Sequence, residues 1–146
     1  MIGYLRGLLL KTAPDLVLLD VQGVGYEVRI PLSTYYEVQK TEGGASVAFY
    51  VHTHVRDDAL MLFGFWTERE RQLFERLIAV SGIGPKLAQT ILSGMMPDDL
   101  IAALSAARAL AAHTDLEAPA IAVEALRIAA SVDLYTNDQI VVEELE

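Results

Sequence analysis

The sequence predicts an α+β fold in two parts: a small five-stranded β-barrel over residues 1–65 and an all-helical domain over 66–130. An acidic segment of uncertain order follows at 131–146. Three observations predict this division. Apolar residues recur with period two between turn residues as far as Phe65, and the period lengthens to that of a helix at Trp66-Thr67. A glycine hairpin, Ser81-Gly82-Ile83-Gly84-Pro85-Lys86, then separates two apolar helical stretches.

The first strand-like run is Ile2 to Leu10, closed by a polar turn through Thr12-Ala13-Pro14-Asp15, and Leu16 to Val21 is the second. Gly23-Val24-Gly25 marks a hairpin or bulge, after which Tyr26-Glu27-Val28-Arg29-Ile30 alternates strictly. Pro31 and a short turn or helix around Ser33 to Val38 lead to the break at Glu42-Gly43-Gly44. Ala45 to Val55 and Ala59 to Phe65 are the last two strands, joined by Arg56-Asp57-Asp58. Five short strands with glycine bends fit a closed barrel of the oligonucleotide-binding (OB) type, with a small sandwich as the alternative.

Thr67 with Glu70 three residues on has the spacing of a capping box, and Leu73, Phe74, Leu77 and Ile78 supply a helical apolar stripe. After the hairpin, Leu87 to Leu92 form a helix closed by Ser93-Gly94. Pro97-Asp98-Asp99 opens another that reaches towards Ala112, and Pro119 to Ala130 is a further helix.

With 146 residues and 53% hydrophobic content the chain can bury a core. It has no cysteine, which excludes disulfides, thiolate metal sites and cysteine nucleophiles. No run of eighteen apolar residues occurs, and Met1 to Arg6 lacks the order of a signal peptide, so a cytoplasmic protein that enters no membrane is expected. The net charge of −9 speaks against nucleic acid until its distribution is examined. Residues 1–97 hold nine Lys/Arg against ten Asp/Glu, whereas residues 98–146 hold two Arg against ten acids. The N-terminal part is nearly neutral, and binding responds to local potential.

In the hairpin, Gly82 and Gly84 leave the backbone open, Pro85 suits the first turn of a helix, and Lys86 adds a cation to the positive end of the helix dipole. Such a terminus seats phosphate, which makes Ser81, Gly82, Ile83, Gly84 and Lys86 candidate contacts to a nucleic-acid backbone. Asp57 and Asp58 read first as a solvated turn; beside DNA, an acidic tip would repel phosphates and reject unsuitable shapes. His52 and His54 share one strand face, but with His113 remote they fall short of the three or four ligands zinc needs. Phosphate-loop and nucleophile-elbow motifs are absent, so neither a catalytic site nor a cofactor is expected.

Taken together, Met1-Ile2-Gly3-Tyr4-Leu5-Arg6-Gly7, Gly23-Val24-Gly25-Tyr26-Glu27-Val28, Val55-Arg56-Asp57-Asp58-Ala59, Leu62-Phe63-Gly64-Phe65 and Gly82-Ile83-Gly84-Pro85-Lys86-Leu87-Ala88 closely resemble the RuvA family over residues 1–105. These are bacterial subunits that recognise Holliday junctions for branch migration in recombination and DNA repair. The resemblance implies an OB-fold barrel and a helix-hairpin-helix domain assembled as a homotetramer, or an octamer, around four-way junction DNA. It also implies the ATPase motor RuvB, and the resolvase RuvC, as partners, with ATP hydrolysis left to RuvB. By motif match, Asp57 and Asp58 take the acidic-pin role with Arg56 adjacent, and the hairpin holds phosphates. The family's second glycine hairpin and usual C-terminal domain are not recognisable, since no glycine follows Gly94. A divergent or shortened form with reduced junction affinity is therefore expected. Two other functions remain open: a tetramer-forming RuvA-like paralogue with weakened DNA or motor binding, and a metal-dependent DNA-processing enzyme using Asp57 and Asp58.

Overall fold

The computed structural model describes residues 1–132; residues 133–146, most of the acidic segment expected at 131–146, lie outside the described residues. Five strands, β1 (Tyr4–Ala13), β2 (Leu16–Val21), β3 (Val24–Arg29), β4 (Ser46–Arg56) and β5 (Ala59–Phe65), close into a barrel in the order β1-β2-β3-β5-β4. All pairings are antiparallel except β3 with β5, which run parallel and place Arg29 opposite Phe63. The helix α1 (Leu32–Gln39) bridges β3 and β4, completing an OB-fold.

Strand β1 serves two partners because it bends. Its first half pairs with β4 and its second with β2, and the register shifts between Leu9 and Lys11, so Leu10 is the extra residue of a bulge. Inward residues alternate along the strands: Leu5, Val17, Leu19, Val28, Val47, Phe49 and Val51 form the barrel core with Ile30, Val38 and Leu62. Gly64 sits where side chains of β3 and β4 press close on β5. A Cβ there would stand 2.5 Å from Val28 Cγ1 and 3.3 Å from Phe49 Cβ.

The helix α2 (Glu68–Ile78) begins at the expected capping box. Thr67 Oγ1 accepts from the Glu70 N–H, while Glu70 Oε2 accepts from the Thr67 N–H at 2.9 Å. Glu70 is buried because its other oxygen accepts from Ser33 Oγ of α1 at 2.9 Å, so one carboxylate joins two helix starts. Phe74 packs against Phe63 and Phe65 at ring distances of 5.0 Å and seals α2 to the barrel. The helix α3 (Pro85–Gly94) buries Ala88 and Leu92. Gln89 Nε2 donates to Ile30 O at 2.6 Å, and Ser93 Oγ accepts from the Leu32 N–H at 2.9 Å.

These contacts make Met1–Gly94 one compact unit, so α2 and α3 belong with the barrel, whereas the sequence reading divides the chain after residue 65. The second unit starts at Met95 and contains α4 (Pro97–His113) and α5 (Ala118–Val132), which pack on each other through small residues such as Ala103 and Ala125. Pro97 occupies the first turn of α4, and Asp98 and Asp99 stand near its positive end.

Three turns of the barrel differ from expectation. β1 runs on through Thr12 and Ala13, because the tight turn needs only Pro14-Asp15. The β2–β3 turn is Gln22-Gly23, with φ of 54° and 87°, a two-residue hairpin that leaves Val24 and Gly25 in β3. Asp20 Oδ1 fastens this turn by accepting from the Gly23 N–H at 2.6 Å. Arg56 is likewise a strand residue, paired with Ala59, so the tip between β4 and β5 is Asp57-Asp58 alone.

Candidate nucleic-acid interface

The hairpin between α2 and α3 is built by successive helix-end hydrogen bonds. Ala79 N–H donates to Glu75 O, Val80 N–H to Leu77 O and Ile83 N–H to Val80 O, which stops α2 and reverses the chain within five residues. Gly82 makes the reversal at φ 89°, a left-handed conformation that costs any side chain about 1–2 kcal/mol. Ile83 is half-buried below it, and Ser81, Gly84 and Lys86 are exposed.

Gly84 differs from Gly82. Its φ is not positive, and a Cβ built on it would meet nothing within 4 Å. Folding of the described residues therefore does not require a glycine there. Its carbonyl accepts from the Ala88 N–H at 3.0 Å, but no protein group among the described residues accepts the N–H of Gly84, Lys86 or Leu87. Pro85 has no N–H. The start of α3 thus presents three unengaged donors at the positive end of a ten-residue helix.

The acidic tip lies on the same compact unit. Asp57 and Asp58 are exposed, and Val55 and Leu60, 68% and 62% exposed, stand on either side of them. Arg56 does not join them. It lines a groove of about 350 Å³ with Arg29, Lys86, Gly84, Met61 and Phe63. No carboxylate lines this groove, and none of its three cations forms an ion pair among the described residues. Sequence reasoning missed Arg29. It alternates outward on β3 like Glu27, and only the parallel pairing with β5 brings it to the wall that Lys86 and Arg56 share. Gln89 was missed for a similar reason, since its contact to Ile30 O spans 59 residues.

The two histidines do share a strand face, and α2 covers His52. His52 Nδ1 lies 3.1 Å from Glu75 Oε1, and the His52 ring packs 5.4 Å from Phe74. His54 Nε2 is buried without a partner among the described residues, and burial, then the positive charge of Arg56, then His52, hold the pKa of His54 below the ordinary histidine value. Among the described residues no three His, Cys, Asp or Glu side chains are grouped to hold a metal, and no helix is long and apolar enough to cross a membrane.

Comparison with known proteins agrees with this architecture. The family described as RuvA N terminal domain matches residues 1–64, and the SAM-like helix-hairpin-helix tandem family matches residues 74–122. The tandem match runs through α4 into α5, whose connection, Thr114-Asp115-Leu116-Glu117, has no glycine. A protein of Syntrophobacter fumaroxidans named Holliday junction branch migration complex subunit RuvA is 53% identical over 100 residues, covering 68% of this chain and 50% of that one. Those of Geobacter sulfurreducens and Methylococcus capsulatus, with the same name, are 51% identical over 104 residues and 58% identical over 100. They are covered over 51% and 48% of their length by 71% and 68% of this chain. The chain thus spans about half the length of the curated relatives it matches.

Proposed function

Since this chain is a RuvA relative whose residues 1–64 belong to the RuvA N-terminal domain family, we propose that it is a structure-specific DNA-binding subunit that recognises four-way junctions. The observation that carries this reading is the start of α3, where the N–H groups of Gly84, Lys86 and Leu87 are unengaged beside an exposed lysine. That arrangement suits a phosphate and carries no base information, as a protein that selects DNA by shape requires. The acidic tip supplies the shape test. Asp57 and Asp58, held at the end of a two-strand projection, repel the phosphates of a continuous duplex and are accommodated where four strands diverge.

In this reading Ser81, Gly82, Ile83, Gly84 and Lys86 form the backbone contact, Asp57 and Asp58 form the pin, and four copies assemble around the junction. The protein works in the cytoplasm with a RuvB-type motor, which supplies the ATP hydrolysis. The names of its relatives, given to subunits of a branch migration complex, support that partnership. A gel shift with an immobile four-way junction against linear duplex of equal length tests it. Preferential retention of the junction is expected, and equal affinity for the two would overturn the reading. Replacing both pin residues, Asp57→Asn with Asp58→Asn, should strengthen duplex binding and erode the preference. Unchanged selectivity in that variant would remove the pin role.

A second reading, a tetramer-forming paralogue with weakened DNA or motor binding, draws on one observation: the tandem family matches as far as residue 122, yet the α4–α5 connection carries two acids and no glycine. The same gel shift separates the form weakened in DNA binding, which retains neither DNA, and co-purification with a RuvB-type motor separates the form weakened only in motor binding.

A further inference from the structure

The groove beside the hairpin holds three cations from three separate elements, Arg29 of β3, Arg56 at the end of β4 and Lys86 of α3, with no acid in its lining. They gather there because β3 pairs in parallel with β5 and β5 pairs with β4. Arg29 is opposite Phe63 and Arg56 is opposite Ala59, four residues, or about 13 Å, further along β5. The two guanidinium-bearing strand positions therefore bracket one stretch of β5, with Lys86 at its rim. Like charges around one groove repel one another, and an anion in the groove relieves that repulsion.

A neighbouring depression shares Arg29 and Lys86 but is also lined by Asp15, which makes the acid-free groove the better anion seat. Among the described residues Arg56 forms no ion pair, not even with its sequence neighbours Asp57 and Asp58. The effect of Arg56 on His54 has the same sign: its positive charge helps to hold that ring neutral.

We propose that Arg29 and Arg56 form a second phosphate seat, next to the α3 start, that carries the DNA backbone from the hairpin towards the acidic tip. Arg56 then belongs to the backbone grip and not to the pin. Guanidinium groups suit this task, because each offers a planar fork of donors to a phosphate. The inference rests on the DNA-binding reading above and adds residues and a path to it.

The test measures binding of labelled four-way junction and linear duplex by fluorescence anisotropy across a salt series, for the full chain and for Arg29→Gln, Arg56→Gln and Arg29→Lys. Thermal melts establish that each variant is folded. Each glutamine variant should lose about three- to tenfold in affinity for both DNAs alike and reduce the salt slope by about one, while Arg29→Lys keeps the slope. If the unmodified chain binds but both glutamine variants keep its affinity and slope, the second seat is overturned and the DNA-binding reading stands. A loss in Arg56→Gln confined to the junction would return Arg56 to the pin and also overturn the proposal. Failure of the unmodified chain to bind either DNA would remove the DNA-binding reading itself.

Discussion

The two helix pairs of this chain, α2–α3 and α4–α5, share an architecture and differ in what their connections expose. In the first, a glycine turn leaves three N–H groups open beside Lys86 and an acid-free groove, and Phe74 and Gln89 fix the pair to the barrel. In the second, the connection Thr114–Glu117 contains two acids, and Thr114 turns inward, its N–H and Oγ1 both donating to Leu110 O. Both helix starts leave N–H groups without an acceptor among the described residues, those of Ala118 and Ala120 included, so the two connections differ in charge: Lys86 and an acid-free groove beside the first, Asp115 and Glu117 in the second. A helix pair therefore becomes a phosphate seat through its connection and its charged surroundings, and the helices alone do not make it one.

The largest effect should come from breaking the support of the first pair. Phe74 is fully buried between Phe63, Phe65 and His52, so Phe74→Ala should cost about 3–5 kcal/mol and abolish DNA retention, measured by thermal melting and gel shift. The corresponding truncation on the second pair, Leu104→Ala at a residue 47% exposed, should stay within about 0.5 kcal/mol.

Smaller effects sharpen the comparison inside the first turn. Gly82→Ala forces a side chain into left-handed backbone and should cost about 1–2 kcal/mol in denaturant melts. Gly84→Ala has room for its methyl and should leave stability within about 0.5 kcal/mol while weakening DNA binding, because the methyl stands at the open N–H groups. A Gly84→Ala protein with unchanged affinity would show that the glycine is not kept open for a ligand. Across the two pairs, Lys86→Ala should lower the salt slope of DNA binding by about one, and Arg108→Ala on α4 should leave it unchanged.

Much of the first unit was legible in the sequence. Period-two alternation located all five strands, and Thr67 with Glu70 located the start of α2, because those signals are local. The extension of β1 to Ala13 and the narrowing of the β4–β5 turn to Asp57-Asp58 were not legible, because pairing with β2 and β5 decides them. Arg29 shows the limit most clearly. Its role as a groove wall follows from the parallel β3–β5 pairing, a long-range topology that no spacing near residue 29 announces.

The smallest expected effect concerns pH. The first unit holds His54, whose pKa lies below its ordinary value through burial, then the charge of Arg56, then His52. The unfolded chain therefore binds a proton at a higher pH than the folded one. Stability should be constant above about pH 6.5, the ordinary histidine value, and decline as the pH falls below it. His54→Gln should flatten that decline in melts recorded between about pH 5 and 8. His113, at the end of α4, is exposed, and His113→Gln should leave the profile as it is.

The central claim, that the α2–α3 turn and not the α4–α5 turn receives the DNA backbone, is tested most directly by following backbone amide resonances on titration with four-way junction DNA. The account predicts that the amides of Gly84, Lys86 and Leu87 shift with the titration while those of Thr114 to Ala118 stay in place. Shifts confined to Thr114 to Ala118, with Gly84, Lys86 and Leu87 unmoved, would contradict it.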